Sequence, residues 1–287
     1  MKTKALITSC SNKFFPSIIN LLTSIKVNYP EHPPIYVYDL GLFYTFRQEL
    51  KKIEGVTVIS MPKFCPHWRS CYTWKTYIFA HPLADLNLYL DAGCQVLQPL
   101  DKDFKIIEEE KVLLVDQEQL FSDIVPKSYK EIFSLSDDHD NKTVIHAGII
   151  GFLDSPEVNK IFYKIYAAAL TGLALGFSIN DSWRNKGKDK NIFIRDCRLF
   201  RHDLTLVNIF FRKYWNNIHI RSLKIYHGNL LNTPEQRIWH IRLNWKRPPF
   251  MSPLKLHSKR NFIVYFNRLV VLLLISLRRI VHIFKGI

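Results

Sequence analysis

The stretch Leu86-Asn87-Leu88-Tyr89-Leu90-Asp91-Ala92-Gly93-Cys94-Gln95-Val96 decides the fold. Its first five residues form an apolar run that reads as a buried strand of a parallel sheet. Asp91 stands where that strand ends, the edge at which open α/β sheets bind ligands. A carboxylate there can hold a divalent cation or a sugar hydroxyl, and Ala92 and Gly93 let another molecule approach the backbone. The same residues also suit an Asx-turn that closes the strand, with glycine in the turn.

Upstream, the chain alternates strand and helix patterns. KALIT (4–8) is a short strand leading into Ser9-Cys10-Ser11-Asn12, a loop with helix-capping side chains. Apolar residues at 15, 18, 19, 22 and 25 have helical spacing, and Pro30 closes that helix. Residues 35–38 and 56–60 read as strands flanking a helix at 43–53. The first 60 residues therefore run β-α-β-α-β, which predicts a parallel sheet of nucleotide-binding type. A helix at 72–80 precedes the Asp91 strand. Beyond it follow a helix at 101–110, a strand at 112–115 ending in Asp116, a helix at 127–133 and a polar loop at 134–142. A strand at 143–152 (TVIHAGIIGF), a long helix at 157–175, a solvated loop at 181–190 and a helix at 203–214 complete the pattern.

Charge is unevenly placed. The chain of 287 residues has a formal charge of +15, yet residues 204–287 hold fifteen Lys/Arg against one acid, Glu235. The first 203 residues are nearly neutral. KRPPFMSP (246–253) reads as a linker, separating a domain at 1–245 from a tail at 246–287. Within 260–285 the longest uncharged run is nine residues, too short for a membrane span of about 20. At helical periodicity, Arg260, Asn267, Arg278, His282 and Lys285 form a basic stripe on an apolar cylinder, which suits a helix lying in a membrane interface. Seven Lys/Arg without a counter-charge from Lys255 onward suit anionic lipid. Packing of that helix on the domain or on a second copy is the competing expectation. Five scattered cysteines with no C-x-x-C pair predict reduced thiols. The apolar run at the start breaks at Thr8 to Lys13, so no cleaved signal peptide is expected. No nucleic-acid-binding module accompanies the basic charge.

Taken in order, W-K-x-x-x-I, LYLDAGCQV, HAGIIGF, RHDLTLVN and YHGN resemble the motifs of GT-A fold glycosyltransferases, above all family 8 and its bacterial relatives. The resemblance spans roughly residues 4–230. It implies a Rossmann-like, mostly parallel α/β sheet with helices on both faces, and sugar transfer from a nucleoside-diphosphate sugar, UDP-sugars first. In the family, Asp-x-Asp holds Mn²⁺ or Mg²⁺ against the donor diphosphate. Asp91 matches the first carboxylate and Gly93 replaces the second. His227, just before Gly228, resembles the family's histidine metal ligand. Lys75 resembles a basic residue on donor phosphate or sugar, and Thr8, Ser9 and Cys10 fall where the base is held. His146-Ala147-Gly148 matches Asn-Ala-Gly, which contacts the sugar. Asp203 matches an aspartate beside the anomeric carbon, with Leu204 in place of the Gln that follows it in relatives.

Each residue also has a plainer reading: Lys75 as a helix-face cation, Asp203 as a helix cap, His227 as a strand histidine. Family members retain anomeric configuration. An inverting course would instead need a general base, for which Asp116, His146 and Asp203 are candidates. The resemblance and the tail together predict action on a glycan or lipid-linked acceptor at the cytoplasmic membrane face. The alternative is a nucleotide-sugar-binding pseudo-enzyme with a degenerate metal site.

Overall fold

The computed structural model describes residues 2–176, 197–215, 218–226 and 235–240. The strands are β1 (Lys4–Cys10), β2 (Ile35–Asp39), β3 (Val56–Ser60), β4 (Leu86–Leu90), β5 (Gln95–Val96), β6 (Val112–Leu120), β7 (Thr143–Leu153), β8 (Ile220–Arg221) and β9 (Ile238–Trp239). Seven of them form one sheet in the order β3-β2-β1-β4-β7-β6-β8, and β5 pairs with β9 in a separate ribbon. The sheet is parallel except for β7, which runs antiparallel to β4 and β6.

Period-two alternation sorts the strand side chains into two layers of core. Leu86, Leu88 and Leu90 of β4 pack with Ile18, Phe46 and Phe104, from α1 (Phe15–Asn28), α2 (Tyr44–Lys51) and α4 (Asp101–Glu110). Tyr89 packs on the opposite face with Phe79, Phe162 and Phe211, from α3 (Thr73–Ala80), α7 (Pro156–Leu170) and α8 (Asp203–Tyr214). Asn87, the polar member of the buried run, is satisfied locally. Its carboxamide accepts from the backbone N–H groups of Leu83 and Ala84 and donates to the Ala84 carbonyl. Short helices α5 (Phe121–Ile124), α6 (Lys127–Phe133) and α9 (Leu223–Tyr226) complete the described α-helices.

The structure alters two expectations. The helix expected over 157–175 ends at Leu170, because Gly172 adopts φ +90° and starts a separate 3-10 turn at Leu173–Leu175. The strand expected over 112–115 continues to Leu120, with register shifts against β7 on either side of Asp116. All five cysteines are free thiols, as their spacing predicts. The loop expected at 181–190 and the linker and tail at 246–287 lie outside the described residues. Among the described residues, no helix is long and apolar enough to cross a membrane.

β1 leads leftward through α1 to β2, and its other neighbour is β4, reached through α3 on the opposite face. Between β1 and β4 the winding reverses, and crevices open at the carboxyl ends of strands at such switch points. A second device brings distant chain there. The fully buried Asp103 of α4 pairs with Arg237 at 3.0 Å and accepts the Tyr226 hydroxyl at 2.7 Å. This clamp holds β9 against β5, just past Asp91. Asp103→Ala is expected to cost about 3–5 kcal/mol in urea unfolding, because it strands a largely buried guanidinium. A loss below about 1 kcal/mol would mean that solvent replaces the carboxylate there.

Candidate active site

A cavity of about 630 Å³ opens at the β1/β4 switch point. Ser9, Lys75, Asp91, Ala92, Gly93, His146, Ala147, Gly148 and Asp203 all line it. Thr8 and Cys10 do not. Strand alternation turns both side chains away from that of Ser9, and Cys10 joins the core under α1. Asp116 is also absent from the lining; its carboxylate accepts the Glu118 backbone N–H at 2.7 Å. His227 and Gly228 lie outside the described residues.

Lys75 sits at the centre. Its side chain is only 6% exposed, and Nζ lies 2.8 Å from Asp91 Oδ1 and 3.6 Å from Asp203 Oδ2. It also donates to the Ala147 carbonyl at 3.3 Å, and it lies over the rings of Tyr72 and Tyr89. α3 therefore places a cation, not a solvated helix-face residue, between two carboxylates carried by β4 and α8. Burial disfavours the ammonium, but the two carboxylates outweigh it and raise the Lys75 pKa. Burial likewise opposes ionisation of Asp91, yet Lys75, His240 and the Tyr89 hydroxyl hold its pKa below the ordinary range.

Asp203 behaves differently. It is 5% exposed and farther from the ammonium, so burial dominates and its pKa rises from 3.8 to about 6. Between those values the folded protein keeps a proton that the unfolded chain has released. Stability contributed by Asp203 therefore falls as pH rises from about 4 to about 6 and is level above that. Asp203→Asn is expected to remove this decline, which urea unfolding at a series of pH values will show. Asp91 has the opposite sign: its contribution is present above 3.8 and is lost as pH falls below its depressed folded value.

A directional chain of hydrogen bonds supports Asp91. Tyr89 donates its only hydroxyl proton to Asp91 Oδ1 at 3.0 Å, so Ser9 must donate to Tyr89, also at 3.0 Å. Trp74 Nε1 donates to Ser9 Oγ at 3.2 Å. Each hydroxyl accepts one bond and passes one on, which fixes the carboxylate without a further charge. On the other side, the Asp91 N–H donates to the Gly148 carbonyl at 2.8 Å. A Cβ on Gly148 would lie 2.5 Å from Asp91 Oδ2 and 2.6 Å from His146 Cε1, so only glycine admits both side chains here. His146 Nδ1 accepts the Gly148 N–H at 2.9 Å, and its ring meets that of His240 edge-on at 4.7 Å.

α8 is registered on β7 by Asn208, whose side chain accepts from Ile145 N at 2.7 Å and donates to Ile145 O at 3.0 Å. That bidentate grip sets Asp203 at the helix start opposite His146. The residues flanking it are strained: Cys71, Tyr72 and His202 all have positive φ without being glycine. Such backbone is tolerated where surrounding packing imposes it, commonly at ligand sites.

Sequence reasoning missed His240, whose Nε2 lies 4.0 Å from Asp91 Oδ2. It also missed the Trp74–Ser9–Tyr89 chain as a unit. Among the described residues, those around Asp91 do not by themselves fit the divalent cation that the resemblance implies; His227, its other implied ligand, lies outside them. Position 93 is glycine, Lys75 already holds Oδ1, and among the described residues no three His, Cys, Asp or Glu side chains converge on a point.

No protein-family model matches the sequence, and no curated protein matches it. Solved structures do. The apo structure of the bifunctional glycosyltransferase WbbM superposes with a TM-score of 0.50 at 12% identity, over 79% of this chain and 40% of that one. This chain thus spans less than half of that protein. The galactosyltransferase LgtC, in complex with donor and acceptor sugar analogues, gives 0.45 at 14% identity, over 72% of this chain and 70% of that chain. The glycosyltransferase GlyE of Streptococcus pneumoniae TIGR4 gives 0.45 at 14%, over 78% and 46%. The likeness is one of architecture: a Rossmann-like α/β sheet, parallel but for β7, built as in the GT-A type of glycosyltransferase.

Proposed function

We propose that the chain is a glycosyltransferase that moves a sugar from a nucleoside-diphosphate sugar, UDP-sugars first, to a glycan or lipid-linked acceptor. The observation that carries this reading is the buried Lys75 joining Asp91 and Asp203 inside the switch-point cavity. Breaking the bond from the anomeric carbon to phosphate leaves negative charge on the departing diphosphate and positive charge on the sugar. A fixed ammonium stabilises the first and a carboxylate the second, and both act strongly where water is scarce. Lys75 and Asp203 fill those roles. Asp91, held by Tyr89 and Lys75, orients the ammonium and offers its remaining oxygen to a sugar hydroxyl. His146 stands ready to hydrogen-bond the same sugar.

Incubating the full chain with UDP-, GDP-, CMP- and dTDP-sugars, with Mn²⁺ or with chelator, is expected to release nucleotide from at least one donor. Release from none would overturn the enzyme reading. A binding protein with the same pocket is the second reading, favoured by Gly93 and Leu204 standing where the resemblance implies Asp and Gln. It predicts donor binding without turnover in the same panel. The basic, acid-free sequence of 255–287 supports an acceptor at the cytoplasmic membrane face. Flotation of the full chain with anionic but not with zwitterionic vesicles is the matching result.

A further inference from the structure

The mismatch between this pocket and a metal site raises the question of what neutralises the donor's diphosphate. Four cationic side chains (Lys13, Arg69, Lys75, Arg201) and two carboxylates (Asp91, Asp203) line the cavity. Among the described residues the wall therefore carries a surplus of two positive charges, equal and opposite to the charge of an esterified diphosphate. Lys75, held between Asp91 and Asp203, is the ammonium proposed above to meet the charge that develops on the leaving oxygen, so the remaining diphosphate charge falls to other cations. Lys13 and Arg69 are exposed, and neither is held in an ion pair among the described residues.

The fold brings these two cations to one place. Asn12, beside Lys13 in the turn after β1, donates to the Gly41 carbonyl at 3.1 Å and accepts the Phe43 N–H at 2.6 Å. Gly41, at φ +93°, lies directly beneath the Arg69 guanidinium, which a Cβ there would meet at 2.9 Å. The turn carrying Lys13 and the loop under Arg69 are thus tied together at the β1 and β2 ends of the cavity. A dication at Asp91, by contrast, would share its carboxylate with an ammonium already 2.8 Å away, and like charges so placed repel.

Resting on the donor class proposed above, we propose that Lys13 and Arg69 form the diphosphate subsite, so that this chain binds its donor without a divalent cation. A guanidinium fork and an ammonium supply the charge-assisted hydrogen bonds that phosphate oxygens accept.

Calorimetric titration of the full chain with UDP, GDP, CDP and dTDP, in chelator and in Mn²⁺ or Mg²⁺, tests this. The diphosphate that binds should do so with dissociation constants within about threefold in chelator and in metal, where a protein-built metal site would differ far more. Arg69→Ala and Lys13→Ala should each weaken that binding about tenfold or more. Binding of the corresponding free nucleoside should stay unchanged in both variants, which separates lost charge from lost fold. Binding that appears only with metal, or that survives both substitutions intact, overturns the subsite and leaves the glycosyltransferase reading standing. Binding of no diphosphate under any condition overturns both.

Discussion

Asp91→Asn is expected to lower kcat/KM for sugar transfer by about 10²–10³, the usual effect of removing one preorganised electrostatic group from a reacting site. Asparagine keeps the volume and still accepts the Tyr89 hydroxyl, but it takes the charge from beside Lys75. Asp203, 3.6 Å away, is then the carboxylate left beside the ammonium. The fold should survive, because the Asp91 side chain is 29% exposed and its backbone bonds to Gly148 and Cys94 do not depend on its charge. Rate measurement on the donor identified by the panel, together with an unfolding curve of the variant, separates the two effects. A drop of less than about threefold would remove Asp91 from the reaction, since interactions specific to the transition state are worth more.

Lys75→Met should act on both stability and activity. Asp203 is almost wholly enclosed, and Lys75 is the cation paired with it. Removing one partner of a buried ion pair costs about 3–5 kcal/mol, because the other charge stays behind in a poor solvent. The loss should shrink at acid pH, where Asp203 takes up a proton instead. Adding Asp203→Asn to Lys75→Met should restore most of the stability in urea unfolding without restoring transfer. If the double variant is no more stable than the Lys75→Met protein, the cost comes from the ammonium's lost contacts with the Tyr72 and Tyr89 rings and the Ala147 carbonyl.

Local pattern made much of this legible. β3, α4, α6 and α8 occupy the spans that hydrophobic spacing predicts, and the β-α-β-α-β start is as expected. Lys75 and Asp91, sixteen residues apart, meet because α3 runs back beside the strand that follows it, a pairing that element order implies. Direction was not legible. β7 is as continuously apolar as a parallel strand, and nothing within it states that it runs the other way. His240 was invisible for a different reason. Its place depends on β5 meeting β9 across some 140 residues and on Asp103 gripping Arg237, neither of which leaves a local trace. Tyr89 inside LNLYL reads simply as core, and its hydroxyl gains meaning only once Ser9 and Trp74 lie beside it.

The antiparallel strand has a consequence for how such a site diversifies. His146, Ala147 and Gly148 lie within an eleven-residue strand rather than in a loop, braced by β4 and by Asn208 of α8. The floor of the cavity is therefore rigid scaffold, and substitutions there disturb the sheet before they retune a substrate. Under the function proposed above, discrimination among sugars and acceptors is expected on the rim, in the turn after β1, the strained Cys71–Tyr72 pair and the approach to α8. Those segments can exchange residues while the charged centre beneath them stays as it is.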